Sequence, residues 1–406
     1  MTSPPRPVHA ARPWAEELFT YGVTGTNGKT STAAMIRACL RAAGRSVFSL
    51  MTTGAAIDET PIDKGKSFDD FVDMVHRGVQ AGCRDLVIEA TSLGLSRGYA
   101  RNWRFDLGVF TNLSPDHLKT HGTWENYLAA KAQLFLHLGP GRTMVLNAAD
   151  EYATFIHRAV PEDVHRLWFR VPSRGPAHHA ADLQAREVAL DLDGTSITLD
   201  ASPLAEALGG HLRVPIIGEV FAENALAAAA AAHAGGLRTD AIVRGLAECP
   251  AVPGRFEVLA RSPAVVVDYA HTADALTRTC DAARAVAKGR VIVVFGASGG
   301  STPQKRGPMG EAVGRACDLA IVTSDNPRHE DPEMLAAAVV AGVERGGRAR
   351  VRTILDRGKA IAAAIEAAGV DDVVVVAGMG HEVGQRIGNT TIAFSDREEV
   401  RRLTGG

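Results

Sequence analysis

The densest chemistry in this 406-residue chain lies in Gly22-Val23-Thr24-Gly25-Thr26-Asn27-Gly28-Lys29-Thr30-Ser31. A glycine-rich turn between a strand and a helix turns backbone N–H groups toward phosphate, with the positive end of the helix behind them. Lys29 then reaches the outer phosphates and the Thr30 hydroxyl a Mg2+ ion. Gly25, Thr26, Asn27, Gly28, Lys29, Thr30 and Ser31 are therefore the expected nucleotide-binding residues, and ATP is the expected nucleotide. The strict phosphate loop has glycine where this chain has Val23. A GxGxxG dinucleotide fingerprint is absent from this turn, which sets aside an NAD-dependent oxidoreductase.

Two further segments carry groups suited to a metal or a phosphate. Asp85-Leu86-Val87-Ile88-Glu89 is an apolar run that ends in a carboxylate, and open α/β sheets bind ligands at the carboxyl ends of their strands. Thr111-Asn112-Leu113-Ser114-Pro115-Asp116-His117 follows another such run, so Asp116 and His117 are candidates for the same site. His121, four residues on, reads as structural.

These residues need a sheet to hold them together, and the sequence supplies its pattern. Apolar runs predict strands over 18–23, 46–50, 85–88, 105–110 and 143–146, with helices over 30–43 and 124–138 between them. A less regular stretch over 161–214 contains a hairpin around Asp193-Gly194. After a Pro/Gly-punctuated break at 250–254, a second series places strands at 264–267, 290–295, 318–322 and 372–376. Its helices fall at 273–287, 332–344 and 357–368. The expected class is α/β: a phosphate-loop domain with a mostly parallel sheet, then a Rossmann-like α/β domain. The expected division is an extension over 1–17, a central domain over 18–245 and a C-terminal domain over 246–406.

Composition excludes several alternatives. Hydrophobic residues make up 46% and charged residues 22%, an ordinary globular balance, and the net charge of −2 gives no electrostatic reason for a nucleic-acid or anionic-membrane partner. No apolar stretch is long enough for a membrane span, and the first residues carry no signal-peptide core. The five cysteines lie far apart with no CxxC pair, which fits reduced thiols in a cytoplasmic protein.

Thr24-Gly25-Thr26-Asn27-Gly28-Lys29-Thr30 resembles the phosphate loop of the Mur ligase family, and further motifs follow in that family's order over roughly residues 18–400. Within the family the chain is similar to the members that add a diamino acid to a UDP-linked muramoyl dipeptide. The resemblance implies that Thr30, Glu89 and His117 hold Mg2+ and that Lys131, in Asn126-Tyr127-Leu128-Ala129-Ala130-Lys131, is carbamylated and joins them. Lys29, Glu89, His117 and Lys131 become the catalytic set. Asn224 would meet the adenine, Arg255 the nucleotide phosphates, and Asp268 and His271 the ribose and phosphate. Asp325, Asn326 and Arg328, in Asp325-Asn326-Pro327-Arg328, and Glu382, in Gly378-Met379-Gly380-His381-Glu382, would hold the incoming amino acid, with Arg306 beside them. Thr91 and Ser92 fall on the acyl side.

Three departures accompany the likeness. Fewer than twenty residues precede the first strand, where the family has a UDP-sugar-binding domain. Leu93 stands where the family has histidine, and Gly299-Gly300-Ser301-Thr302-Pro303 replaces a Gly-Gly-Asp-Arg-Asp segment; Met379 occupies a common lysine position. The expected function is an ATP-dependent amide ligase that activates a carboxylate as an acyl phosphate and couples it to an amino acid, in a specialised secondary-metabolite or modified cell-wall pathway. Two Mg2+ ions and Lys29 would neutralise the phosphoryl oxygens, and closure of the second domain would bring the amine to the acyl group. The alternatives are an ATP-binding subunit or scaffold without turnover alone, and a peptidoglycan-precursor ligase served by a partner protein that presents the acyl substrate. A monomer or homodimer is expected.

Overall fold

The computed structural model describes residues 12–63, 65, 67–114, 118–300 and 302–405. The chain divides into two compact units. The first comprises Met1–Ala189, Thr195–Pro215 and Glu219–Pro250; the second comprises Ala251–Gly406 with Leu190–Gly194 and Ile216–Gly218.

The first unit is built on β1 (Phe19–Thr24), β2 (Val47–Met51), β3 (Gly54–Ile57), β4 (Thr60–Ile62), β5 (Asp85–Glu89), β6 (Leu107–Phe110), β7 (Thr143–Asn147), β8 (His165–Arg170), β9 (Leu183–Asp191), β10 (Gly194–Leu199) and β11 (His211–Val214). They form one sheet in the order β11-β10-β9-β8-β7-β6-β1-β5-β2-β3-β4. β1 lies between β5 and β6 and runs parallel to both, with Val23 opposite Glu89 on one side and Val109 on the other. The phosphate loop, Glu89 and Thr111 therefore lie together at the C-terminal ends of these parallel strands. β1 and β5 bury nearly every residue, as strands covered on both faces must. The core beneath them runs from Phe48, Leu86 and Phe105 to Phe135, Leu146 and Trp168.

The stretch over 161–214 is more regular than the sequence suggests: β8 to β11 extend the sheet, and Asp193-Gly194 sits at the β9–β10 turn. β8 reads His-Arg-Leu-Trp-Phe-Arg, with polar residues at both ends masking a short buried centre. The alanine-rich helix Glu219–Ala234 buries residues 221–232. Alanine gives the strongest helix propensity and a small cross-section, which suits close packing on the helix Lys29–Ala42.

The second unit has the sheet order β12-β13-β17-β14-β15-β16, from β12 (Glu257–Arg261), β13 (Ala264–Asp268), β14 (Val291–Phe295), β15 (Leu319–Val322), β16 (Arg350–Thr353) and β17 (Val373–Ala377). All pairs except β12–β13 are parallel. A separate hairpin joins β18 (Gly384–Ile387) to β19 (Thr390–Ala393). This is the Rossmann-like arrangement that the valine-rich runs predict, with Val265, Val267, Ile292, Val294 and Val374 in its core. The buried pair Arg357–Asp396, at 2.7 Å through both guanidinium contacts, ties the helix Arg357–Ala367 to the helix Asp396–Thr404.

All five cysteines are free and buried, as the scattered spacing implies. Among the described residues no helix is long and apolar enough to cross a membrane.

Candidate active site

The phosphate loop is shaped by two glycines that other residues could not replace. Gly28 has φ +85 and a Cβ on it would lie 2.4 Å from Asn224 Oδ1; Gly25 has φ +150 and a Cβ there would meet Thr111 Oγ1 at 1.9 Å. The helix Lys29–Ala42 starts at this turn, with Gly28 as its N-cap and no side chain capping it. Its first N–H groups therefore lack helical acceptors, the condition for holding an anion. Lys29 Nζ donates to Thr26 O at 2.7 Å, folded back onto its own loop.

The loop is braced from the β6 side. Thr111 Oγ1 donates to Asn27 O at 2.6 Å, Asn112 Oδ1 accepts from Asn27 N–H at 3.0 Å, and Ser114 N–H donates to Thr26 Oγ1 at 2.9 Å. Thr26 Oγ1 also meets the Tyr127 hydroxyl at 3.2 Å. Asp150 holds the same segment by accepting Leu113 N–H at 2.6 Å. Burial pushes the Asp150 carboxyl up to about 6, against the N–H groups of Leu113, Tyr152 and Ala153, and Glu223 adds to the rise.

Glu89 is the centre of an oxygen cluster. Its Oε2 accepts from Thr30 Oγ1 at 2.9 Å, Thr52 N–H at 2.9 Å and Thr52 Oγ1 at 3.0 Å. Burial pushes this carboxyl up, but the Lys29 ammonium and the donors of Thr52 and Thr30 outweigh it and hold it below the usual range. The result is an ionised carboxylate with two hydroxyls at the mouth of a phosphate-shaped loop. Mg2+ is bound in this way, by one or two carboxylates and hydroxyls together with phosphate oxygens and water. Among the described residues no group of three or more His, Cys, Asp and Glu comes together. His117, expected to complete the set, lies outside the described residues, as does Asp116.

Lys131 is only 1% exposed. It reaches the site from the helix Trp124–Leu136, donating to Gly25 O, with its ammonium 4.5 Å from the Tyr127 ring centre. The side chain therefore turns inward to the phosphate loop and not to solvent. His121 Nε2 meets Ser92 Oγ at 2.9 Å, and burial, with Lys131 nearby, lowers its pKa. Thr91 caps the short helix Ser92–Ser96 by accepting Gly94 N–H at 3.2 Å. Leu93, at the family's histidine position, is 42% exposed.

Asn224 is buried against Gly28. Its neighbour Glu223 accepts from Asn147 Nδ2 and Arg174 Nε, both at 3.3 Å, and so anchors the helix that presents Asn224.

In the second unit, Asn326 Nδ2 donates to Glu382 Oε2 at 2.9 Å and Asn326 Oδ1 accepts Arg386 N–H at 2.8 Å. Asp325 Oδ1 accepts from Ser298 Oγ at 2.7 Å and Asn326 N–H at 2.6 Å. Arg328 is exposed and has φ +55, a left-handed conformation that costs a non-glycine residue about 1–3 kcal/mol and that recurs at ligand sites. Its backbone is held there by Arg386 O at 2.9 Å and by Gly388 N–H at 2.6 Å. Arg306 pairs with Glu330 at 2.6 Å, and Glu330 also accepts the N–H of Gly300, which lies beside the Arg328 guanidinium. Met379 is fully buried.

Asp268 is committed to local structure, accepting N–H groups of Phe256 and Ala270 and the Thr279 hydroxyl. Burial pushes its carboxyl up, and Arg255 among others opposes this. Arg255 lies over the Tyr269 ring at 4.8 Å, and the exposed His271 meets Tyr269 O through Nδ1 at 2.8 Å.

Sequence reasoning missed Thr52, Asn112, Tyr127 and Asp150. Thr52 follows β2 at the same end of the parallel strands as Glu89, and Asn112 follows β6 there, so strand order was the signal for these two.

A model of the Mur ligase middle domain matches residues 23–232, and one of the Mur ligase glutamate ligase domain matches residues 254–380. The UDP-N-acetylmuramoyl-L-alanyl-D-glutamate–2,6-diaminopimelate ligase of Solibacter usitatus is 36% identical over 405 residues, 96% of this chain and 78% of that protein. The protein of the same name from Streptomyces coelicolor is 36% identical over 400 residues, 95% of this chain and 76% of its own. A solved ligase of that name aligns with TM-score 0.68 and 31% identity, covering 96% of this chain and 78% of the other. A Mycobacterium tuberculosis folylpolyglutamate synthase aligns with TM-score 0.71 at 21% identity over 97% of this chain and 92% of the other, a likeness of fold alone.

Proposed function

The chain belongs to the Mur ligase family and is an ATP-dependent carboxylate–amine ligase; on that premise we propose that it joins a substrate carboxylate to the amine of an amino acid. One observation carries the reading most strongly. Lys29, Thr30 and Glu89 converge at the end of β1 and β5, with Glu89 held ionised.

In the proposed reaction a carboxylate oxygen attacks the terminal phosphorus of ATP, ADP leaves, and an acyl phosphate forms. The amine then attacks the acyl carbon, phosphate leaves with that oxygen, and the nitrogen loses a proton. When bound, Mg2+ supplies positive charge against the phosphoryl oxygens. Thr30 and Glu89 are the proposed ligands, with His117 and a carbamylated Lys131 beyond them. A carbamate on Lys131 keeps an N–H that can still donate to Gly25 O. Gly25 to Ser31 cradle the phosphates, and Lys29 leaves the Thr26 carbonyl for the outer phosphate. Asn224 is proposed for the base. Arg255, Asp268 and His271 are proposed on the nucleotide side, Asp268 through the turn it shapes rather than by direct contact.

On the amine side, Glu382 is proposed to accept an ammonium and Arg328 to pair with a carboxylate, with Asp325 and Asn326 setting their positions. A zwitterionic amino acid fits this set, and the two relatives are named as 2,6-diaminopimelate ligases. Arg306, held by Glu330, is proposed beside these residues. Thr91 and Ser92 remain the proposed acyl-side residues. The specialised pathway expected from the sequence finds no support among these relatives. The test is a reaction of purified protein with ATP, Mg2+, diaminopimelate and a panel of carboxylates headed by UDP-N-acetylmuramoyl-L-alanyl-D-glutamate. ADP and a new amide should appear together, and ADP release without any amide would refute the reading.

A further inference from the structure

The phosphate loop leans on Thr111, and Thr111 is held in turn by a buried side chain that takes no part in the proposed reaction. Thr111 is the first residue past β6, where the ladder to β7 ends at the pair Phe110–Leu146. Its N–H donates to Thr24 O at 3.0 Å and its hydroxyl to Asn27 O at 2.6 Å. Gly25 packs on the same hydroxyl so closely that a Cβ would meet it at 1.9 Å, so Thr111 cannot shift without shifting the loop. The Thr111 carbonyl accepts an N–H from Asn147 Nδ2 at 2.8 Å. Asn147 is the last residue of β7 and is 2% exposed.

The Asn147 amide is fixed from three sides. Its Oδ1 accepts Ala149 N–H at 2.9 Å, which turns the nitrogen toward Thr111 O and toward Glu223 Oε1 at 3.3 Å. The other oxygen of Glu223 accepts Arg174 Nε at 3.3 Å. Both amide N–H groups and the amide oxygen are therefore engaged, and a buried polar network engaged in this way is rigid. The strand fixes the Asn147 backbone, the network fixes its side chain, and the side chain fixes the Thr111 carbonyl. We infer that Asn147 is a positioning residue for the phosphate loop, holding Thr111 so that Thr111 holds Asn27. The inference rests on the ligase reading only for what the loop binds.

The test compares the full chain with Asn147→Ala and Asn147→Leu; circular dichroism melts establish which variants are folded, and either one alone suffices. Thr26 N–H donates to Asn112 O at 2.8 Å and Asn27 N–H to Asn112 Oδ1 at 3.0 Å, so their hydrogen exchange without nucleotide reports how firmly the loop is held. Both should exchange roughly three- to tenfold faster in the variant, the value of one lost hydrogen bond. A loss of global stability alone would speed only the core amides that exchange through unfolding. A non-hydrolysable ATP analogue should bind weaker by a similar factor, with the KM for the amino acid unchanged. In a Thr111→Val background the Asn147 substitution should weaken the analogue little further, because both changes act along one route. Unchanged loop exchange in a folded variant overturns the inference, as does a double variant whose two losses multiply. If the unmodified chain binds no ATP analogue, the ligase reading fails, while faster exchange at Thr26 and Asn27 still bears the inference out.

Discussion

Thr30 and Glu89 lie 59 residues apart in sequence, yet the Thr30 hydroxyl donates to Glu89 Oε2 at 2.9 Å. Parallel pairing of β1 with β5 makes this contact, because it brings the end of one strand beside the start of the helix that follows the other. The proposed Mg2+ chemistry depends on that adjacency.

Lys29→Ala should abolish ADP formation while leaving the fold unchanged, since Lys29 Nζ lies on the phosphate loop, donating to Thr26 O and acting on Glu89 through its charge. Steady-state ADP release and a thermal melt check both halves. Turnover near that of the unmodified protein would remove the loop from the mechanism.

Glu89→Gln should raise the Mg2+ concentration needed for half-maximal activity, because a carboxamide is a poor ligand for a hard cation. The carboxyl's folded pKa is lowered, so its contribution to stability is present above the ordinary carboxylate value and is lost as pH falls through the lowered one. Denaturant unfolding should therefore show a steeper acid-side loss in the unmodified protein than in the variant.

Asp150 has the opposite sign. Its pKa rises from 3.8 in the unfolded chain to about 6, so the folded state holds a proton that the unfolded state has released. That term declines as pH rises through this window and is a net cost above about 6. Asp150→Asn should flatten the stability profile there, measured by urea midpoints on either side of the window. Identical profiles for both proteins would contradict this.

Lys131 should carry a carbamate when bicarbonate is present, and Lys131→Ala should regain part of its activity with short carboxylates. Intact mass and the rescue assay test this together. A lysine that stays unmodified, with full activity in the alanine variant, would count against the role.

Arg328→Ala should weaken amino-acid binding by roughly ten- to a hundredfold, the value of losing a charged hydrogen bond of about 1.5–3 kcal/mol. The exposed, left-handed setting of Arg328 limits the effect to this range; a fully buried pair would cost more. The amino-acid KM should rise while ATP affinity holds.

The sheet strands and the phosphate loop were legible because buried parallel strands read as unbroken apolar runs. Val291-Ile292-Val293-Val294-Phe295 is an example, and Gly28-Lys29-Thr30 marks a strand-to-helix turn by composition alone. Thr52 and Asp150 were not legible, because each acts through the order of strands in the sheet and not through a local pattern. Lys131 was legible only by family likeness, since its neighbours in sequence do not announce that its side chain turns inward to Gly25. The pairing of Arg306 with Glu330 also depends on tertiary contacts no spacing reports.

The most direct measurement of the ligase chemistry is isotope transfer from the acyl substrate. With heavy oxygen in the reacting carboxylate, one labelled oxygen should appear in inorganic phosphate for each amide formed, alongside one ADP. Amide formation with unlabelled phosphate, or with AMP as the nucleotide product, would contradict activation through an acyl phosphate at the Thr30–Glu89 site.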